Sequence, residues 1–301
     1  MTAIDGYTSG VALWRAVTDR VKATAKATGV DNAALIRRFV FGRFLARVFH
    51  DPSGPWVLKG GTAVLARVHD ARTTKDVDLL HRLGDLDDAV EALAAATKVE
   101  LGDHFRFVIA SVEQNVGGQP DVDGARVAVD AYVGAMKKSS FGVDLVTGSL
   151  MTAPPELRTD PVLDLRGLAA PAMRLYPVVD HIADKLCATQ ATYGVNGDIP
   201  SSRVRDLVDL VVLARSQDVA GSELITAVRG EWEHRGLPGA PVFAPPASWD
   251  RLYPPEARKA PVVADMTRFE DAAALVGAFL APVLDGSAVG RRWVASDLSW
   301  Q

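Results

Sequence analysis

The stretch Leu58-Lys59-Gly60-Gly61-Thr62-Ala63, followed after eight residues by Arg72-Thr73-Thr74-Lys75-Asp76-Val77-Asp78-Leu79, decides how the chain folds. Trp56-Val57-Leu58 is a short apolar run, and the glycine pair behind it predicts a buried strand entering a tight turn. A short helix is expected from Thr62 to Val68. Val77 and Leu79 then alternate with Asp76 and Asp78, which predicts a second strand with both carboxylates on one face and the apolar pair on the other.

Outward from this unit the pattern stays mixed. Upstream, Val11, Trp14, Val17, Val21 and then Leu35, Phe39, Phe44, Val48 recur at amphipathic-helix spacing. Downstream, a helix is expected near 85–98, its first turn carrying Asp85, Asp87 and Asp88 at the positive end of the dipole. Three strand-like runs follow at 105–113, 125–133 and 139–147. Strands and helices in this order predict a mixed α/β fold, a small sheet with helices packed on it. Prolines cluster between Pro154 and Pro177 and again between Pro238 and Pro261, where neither helix nor central strand is expected. They divide the chain into residues 1–153, helices plus α/β core, and residues 175–301, mainly helical. Within the latter a helix is expected over 178–193, another from an N-cap at Ser202, and a third carrying Phe269, Ala272, Ala273, Val276, Phe279 and Leu280 and ending before Pro282.

Composition narrows the class. The 301 residues are 48% hydrophobic and 23% charged, as in ordinary globular proteins. No apolar run approaches the roughly 20 residues of a membrane span, and the first residues carry no secretory pattern, so a cytoplasmic protein is expected. A single cysteine, Cys187, rules out an internal disulfide and any cysteine-rich metal cluster, and it is expected in the core. The histidines show no zinc spacing, and neither a P-loop nor a dinucleotide-binding glycine motif is present. With Lys+Arg 33 against Asp+Glu 37, the net charge argues against wholesale nucleic-acid coating and leaves room for a local basic surface.

The chemistry lies in the opening stretch. Two carboxylates on one strand face repel one another unless a cation sits between them, and hard oxygen donors suit Mg²⁺ carrying substrate phosphates. Alone, such a pair is more often a solvated strand face. Gly60-Gly61 lets the backbone approach a ligand closely, and Thr62 and the following helix N-terminus offer donors to phosphate oxygens. A third carboxylate on a neighbouring strand would complete a two-metal site. Asp144 is the preferred candidate, on the more apolar strand, and Asp130 the rival.

The two segments resemble the nucleotidyltransferase toxins of the AbiEii/AbiGii family, which includes the MenT group. The family pattern is a hydrophobic residue, K-G-G-[ST]-A, a short spacer and R-x-[ST]-x-D-[IV]-D, matched here from Leu58 to Asp78. Arg126 to Gly148 resembles the family's paired strands, which favours Asp144. Asp184-Lys185-Leu186-Cys187-Ala188 and Arg203-Val204-Arg205-Asp206-Leu207-Val208-Asp209 resemble its second motif region. The likeness spans roughly residues 35–215.

It implies a DNA polymerase β-like core and an Mg²⁺-dependent transfer of NMP from an NTP, with release of pyrophosphate. Asp76, Asp78 and Asp144 would be metal-holding and catalytic, with Lys185 beside them. Gly60, Gly61, Thr62, Lys75, Lys185 and Asp206 would bind nucleotide, with Asp209 the alternate acid. It also implies an RNA acceptor, the tRNA 3′ end foremost, and a cognate antitoxin encoded nearby. A transferase acting on a protein or an antibiotic, and a nucleotide sensor without turnover, are the alternatives. Lys185 and Asp206 can meet across a helical hairpin, though a surface pair Arg205–Asp209 fits the same spacing. Finally, Arg37, Arg38, Arg43 and Arg47 lie in a window without acidic residues between Asp31 and Asp51, a candidate face for RNA phosphates, with Lys137-Lys138 and Arg291-Arg292 as lesser additions.

Overall fold

The computed structural model describes residues 6–114, 122–193 and 199–301. Its elements begin with α1 (Gly10–Thr28) and α2 (Asn32–Val48), then β1 (Trp56–Leu58), α3 (Gly60–Arg67), β2 (Asp76–His81) and α4 (Leu86–Thr97). There follow β3 (Phe105–Gln114), β4 (Gly124–Val133), β5 (Met136–Val146), β6 (Glu156–Thr159) and β7 (Ala172–Leu175). The rest is mainly helical, beside a two-stranded and a three-stranded sheet of short strands: α5 (Val178–Gln190), α6 (Val204–Ser216), α7 (Gly221–His234), the short α8 (Tyr253–Ala257) and α9 (Phe269–Leu284).

The seven strands form one mixed sheet in the order β3-β4-β5-β2-β1-β7-β6. β2 and β5 run parallel, as do β1 and β7, while the other neighbours are antiparallel. This is the mixed α/β architecture expected. One sheet face is apolar: Val77, Leu79, Val127, Val129, Val143 and Leu145 are fully buried in a core shared with Leu13, Val17, Phe39, Phe44 and Leu93 from α1, α2 and α4. A second core joins α5, α6, α7 and α9 around Leu186, Leu207, Val211, Leu224 and Phe279. α3 contributes to both, Ala63 and Ala66 to the first and Val64 and Leu65 to the second.

Several local expectations need correcting. Val11 is 80% exposed, and the buried stripe of α1 runs Leu13, Val17, Val21. α3 begins at Gly60, so the glycine pair is the helix's first turn rather than a separate loop. Ser202 does not cap α6; the N-cap position is Arg203, and the neighbouring Ser201 hydroxyl accepts the Arg203 N–H. α5 stops at Gln190, short of Tyr193. β7 lies inside the sheet despite the proline cluster, because Pro171 and Pro177 flank it and neither interrupts its ladder. Pro254 and Pro255 open α8, where missing N–H groups cost nothing. α9 runs through Pro282 to Leu284, because the Ala278 carbonyl that Pro282 cannot bond belongs to an exposed residue that water can serve.

Candidate active site

The register of the sheet assembles the acids. Across the parallel pair β2–β5, Asp78 lies opposite Asp144 and Asp76 opposite Gly142. All three carboxylates therefore leave the face opposite the apolar core. Asp130 shares that face, yet it sits farther along the ladder opposite Ser140, which donates to it at 2.8 Å while Lys137 pairs with it at 2.7 Å.

Gly60 closes one side. Its φ is +55°, and a Cβ built on it would overlap the Asp78 carboxyl. The first turn of α3 can thus lie against Asp78 only with glycine in that position. Lys59 N–H donates to the Asp78 carbonyl at 2.9 Å, which fixes the same approach from the backbone. Burial first, and the Asp144 charge second, push the Asp78 carboxyl up to about 7, against the pull of Lys185 and Arg72.

α5 and α6 supply the facing wall. Lys185 Nζ donates to Asp206 Oδ1 at 2.9 Å and to Asp209 Oδ2 at 2.6 Å. Burial works against this ammonium, but the two carboxylates hold its pKa above the ordinary lysine value. Asp209 is fully buried and accepts from Arg72 Nε and Nη2, each at 2.8 Å. Asp206 faces the cleft and also accepts from Arg203 at 2.5 Å. The expected Arg205–Asp209 surface pair does not form; Arg205 reaches Glu256 instead. Between these walls lies a cleft of about 630 Å³ lined by Gly60, Gly61, Asp76, Asp78, Asp144, Lys185 and Asp206.

Two expected nucleotide residues stand apart. Thr62 is buried and its hydroxyl donates to the Asp76 carbonyl at 2.9 Å, tying α3 to β2. Lys75 is exposed and does not line the cleft. Sequence reasoning gave no role to Arg72, Arg203, Arg235 and Asp184, which line the cleft, nor to Arg126, which pairs with two of its acids, Asp76 and Asp144. Lys59 sits over the Tyr176 ring, donates to the Ser149 hydroxyl at 2.9 Å and lies 3.7 Å from Asp184, which Arg235 pairs at 2.7 Å. Arg72, Arg126, Asp184 and Arg203 all stood inside the matched segments, while Arg235 lay outside them.

The basic window is also revised. Arg43 and Arg47 are internal, pairing with buried Asp103 at 2.7 and 2.6 Å, and Arg38 pairs with Asp160 at 2.6 Å. These arginines hold α2 to the sheet and do not form an open phosphate-binding face.

The donor set suits a hard divalent cation: three carboxylates from adjacent strands, one of them burdened by its like-charged neighbour. Among the described residues no three ligating side chains yet converge on one point. A guanidinium stands there instead: Arg126 bridges Asp76 and Asp144, at 2.5 Å to each. The site therefore already gathers positive charge where a cation would stand.

A family model for the nucleotidyl transferase AbiEii toxin of type IV TA systems matches residues 43–287. The chain belongs to this family. It is accordingly a nucleotidyltransferase, a toxin of the type IV toxin–antitoxin class with an NTP substrate and an antitoxin partner. The fold is similar to that of MenT4, a nucleotidyltransferase toxin from Mycobacterium tuberculosis H37Rv, with a TM-score of 0.50 and 16% identity over 91% of this chain and 97% of that one. JHP933 from Helicobacter pylori aligns at TM-score 0.45 and 17% identity over 85% and 94% of the two chains. At these identities the likeness concerns the fold. No curated protein matches the AbiEii chain in sequence. Among its described residues no helix is long and apolar enough to cross a membrane.

Proposed function

We propose that this AbiEii toxin transfers NMP from an NTP to an RNA acceptor, foremost the tRNA 3′ end, in an Mg²⁺-dependent reaction that releases pyrophosphate, in the cytoplasm and under control of its antitoxin. The observation that carries this reading is the in-register placement of Asp76, Asp78 and Asp144 on β2 and β5, facing Lys185 and Asp206 across a cleft of about 630 Å³. A triphosphate with one sugar and base occupies several hundred Å³, the size of an ordinary ligand pocket.

Asp76, Asp78 and Asp144 would hold the divalent ions, which when bound neutralise the triphosphate and make the acceptor hydroxyl a better nucleophile. The chain's own groups do the rest. The first turn of α3 at Gly60 and Gly61 presents backbone N–H groups that a helix start leaves without intrahelical partners, and phosphate oxygens accept them. Lys185, held upright between Asp206 and Asp209, sets the positive potential of the wall against which charge shifts to pyrophosphate. Asp206 would contact the nucleotide, while Asp209 holds Lys185 and Arg72 in place.

Incubation with each labelled NTP, Mg²⁺ and total cellular RNA tests the reading, run beside the same RNA after periodate oxidation. Label should enter small RNA from one preferred NTP and should be refused by the oxidised RNA, whose terminal diol is gone. Label recovered on protein, or on oxidised and intact RNA alike, would overturn the acceptor assignment.

A further inference from the structure

Arg126 on β4 lies opposite Asp144, and Ala128 lies opposite Gly142. Gly142 in turn lies opposite Asp76. Because Gly142 carries no side chain, the Arg126 guanidinium lies flat over its Cα and reaches two acids on two strands. Nη1 meets Asp144 Oδ1 and Nη2 meets Asp76 Oδ1, each at 2.5 Å. A Cβ built on Gly142 would overlap the guanidinium carbon and two of its three nitrogens, Nη2 and Nε. The arginine side chain is 39% exposed, as is that of Asp144. It is therefore held by charge and shape at the cleft surface, and pairs this open to water are weak enough to be exchanged.

We infer that Arg126 is the enzyme's resident counter-cation, bridging Asp76 and Asp144 while the cleft is empty and leaving them when nucleotide brings a divalent ion. The inference rests on reading Asp76, Asp78 and Asp144 as the metal-holding acids. Arg126 makes metal binding conditional on substrate. An ion arriving alone must displace a bidentate guanidinium, whereas an ion arriving on a triphosphate also offers Arg126 phosphate oxygens, which its planar fork pairs as well as it pairs carboxylates. Arg126 is a positioning residue in this scheme: it keeps the acids of β2 and β5 apart from solvent ions and in register.

The test is titration of the full chain with Mn²⁺, followed by the electron paramagnetic resonance of the free ion. It is run alone and with α,β-methylene analogues of the common nucleoside triphosphates, with circular dichroism as the folding control. The wild type should bind Mn²⁺ alone at least tenfold more weakly than with the preferred analogue. Arg126→Gln should bind Mn²⁺ alone tenfold or more tighter than wild type and lose most of the nucleotide dependence. Arg126→Lys, whose ammonium satisfies one acid at a time, should fall between. Gly142→Ala keeps every charge but drives the guanidinium off its seat, and it too should tighten Mn²⁺ alone.

If Gly142→Ala binds as weakly as wild type, Arg126 acts only as a distant charge and the inference fails, whatever Arg126→Gln does. If the variants match wild type while nucleotide still tightens all of them, Arg126 is not a gate and the metal assignment survives. If Mn²⁺ binds none of them with or without nucleotide, the metal assignment itself falls and the inference with it.

Discussion

The Cβ direction of Gly60, at φ +55°, points straight into the carboxyl of Asp78. The turn proposed to receive phosphate and the acid proposed to hold metal are thus packed backbone against side chain, and neither can move alone. Gly60→Ala places an L residue in the left-handed region, at about 1–2 kcal/mol, and displaces Asp78 besides. Turnover should fall about a hundredfold, the scale expected for a misplacement near 1 Å, while the melting temperature drops by only a few degrees. A Gly60→Ala protein with wild-type kcat would show that Asp78 has room to retreat and that the contact is incidental.

Asp78 also sets a pH dependence. Its carboxyl is raised from 3.8 to about 7 by burial and then by Asp144. Between those values the folded state keeps a proton that the unfolded chain has released, so the metal-free protein loses stability as pH rises through that window. Above about pH 7 this group adds no further slope. Asp78→Asn removes the titration. In melting curves taken with EDTA, the variant should gain on wild type steadily from pH 4 to pH 7 and hold its lead beyond. Parallel curves for the two proteins would mean that Asp78 is ionised throughout.

The acids under Lys185 should separate by role. Asp209 is fully buried and receives both Arg72 and Lys185, so Asp209→Ala leaves two cations short of a partner in the interior. Loss of a buried partner of this kind costs about 3–5 kcal/mol, to be read from urea unfolding. Asp206→Asn leaves Lys185 its bond to Asp209 and keeps a polar side chain at the cleft. Stability should change by about 1–2 kcal/mol, while transfer falls at least tenfold. Equal stability losses with equal turnover losses would dissolve the distinction.

How much of this was legible in the sequence depends on range. The β1–α3–β2 unit reads directly, because glycine, alternation and the D-x-D spacing are local signals. Asp144 was reachable from its strand pattern. Arg126 was not. Counting back from the Gly134-Ala135 turn sets Arg126 opposite Val143, on the core side. A bulge shifts the ladder, Tyr132 pairing Lys137 but Ala131 pairing Ser139, and that one-residue slip brings Arg126 to Asp144. Thr62 was misread because the partner of its hydroxyl, the Asp76 carbonyl, arrives only when β2 docks beside α3. Arg43 and Arg47 failed for the same reason on a longer scale: Asp103 lies outside any local charge window, so an internal cluster looked like a basic surface.

Asp103 is 3% exposed, Arg47 2% and Arg43 6%. Burial alone would raise the Asp103 carboxyl, yet Arg47 and Arg43 hold it below its ordinary value. The stability it contributes is therefore present above the unfolded carboxylate range and is lost as pH falls through its lowered value. Arg47 also donates to the carbonyls of Arg43 and Phe105, joining α2 to the start of β3. Arg47→Ala strips the buried acid of its closest partner, and the urea midpoint should report a loss of about 3–5 kcal/mol. The same variant, measured where it is folded, should bind RNA with an unchanged dependence of log K on log salt. An arginine that met an RNA phosphate would lower that slope by roughly 0.7–0.9 on removal. A fully stable Arg47→Ala protein with the shallower slope would return this helix to the RNA-binding surface and remove Asp103 from its place as the anchor of α2.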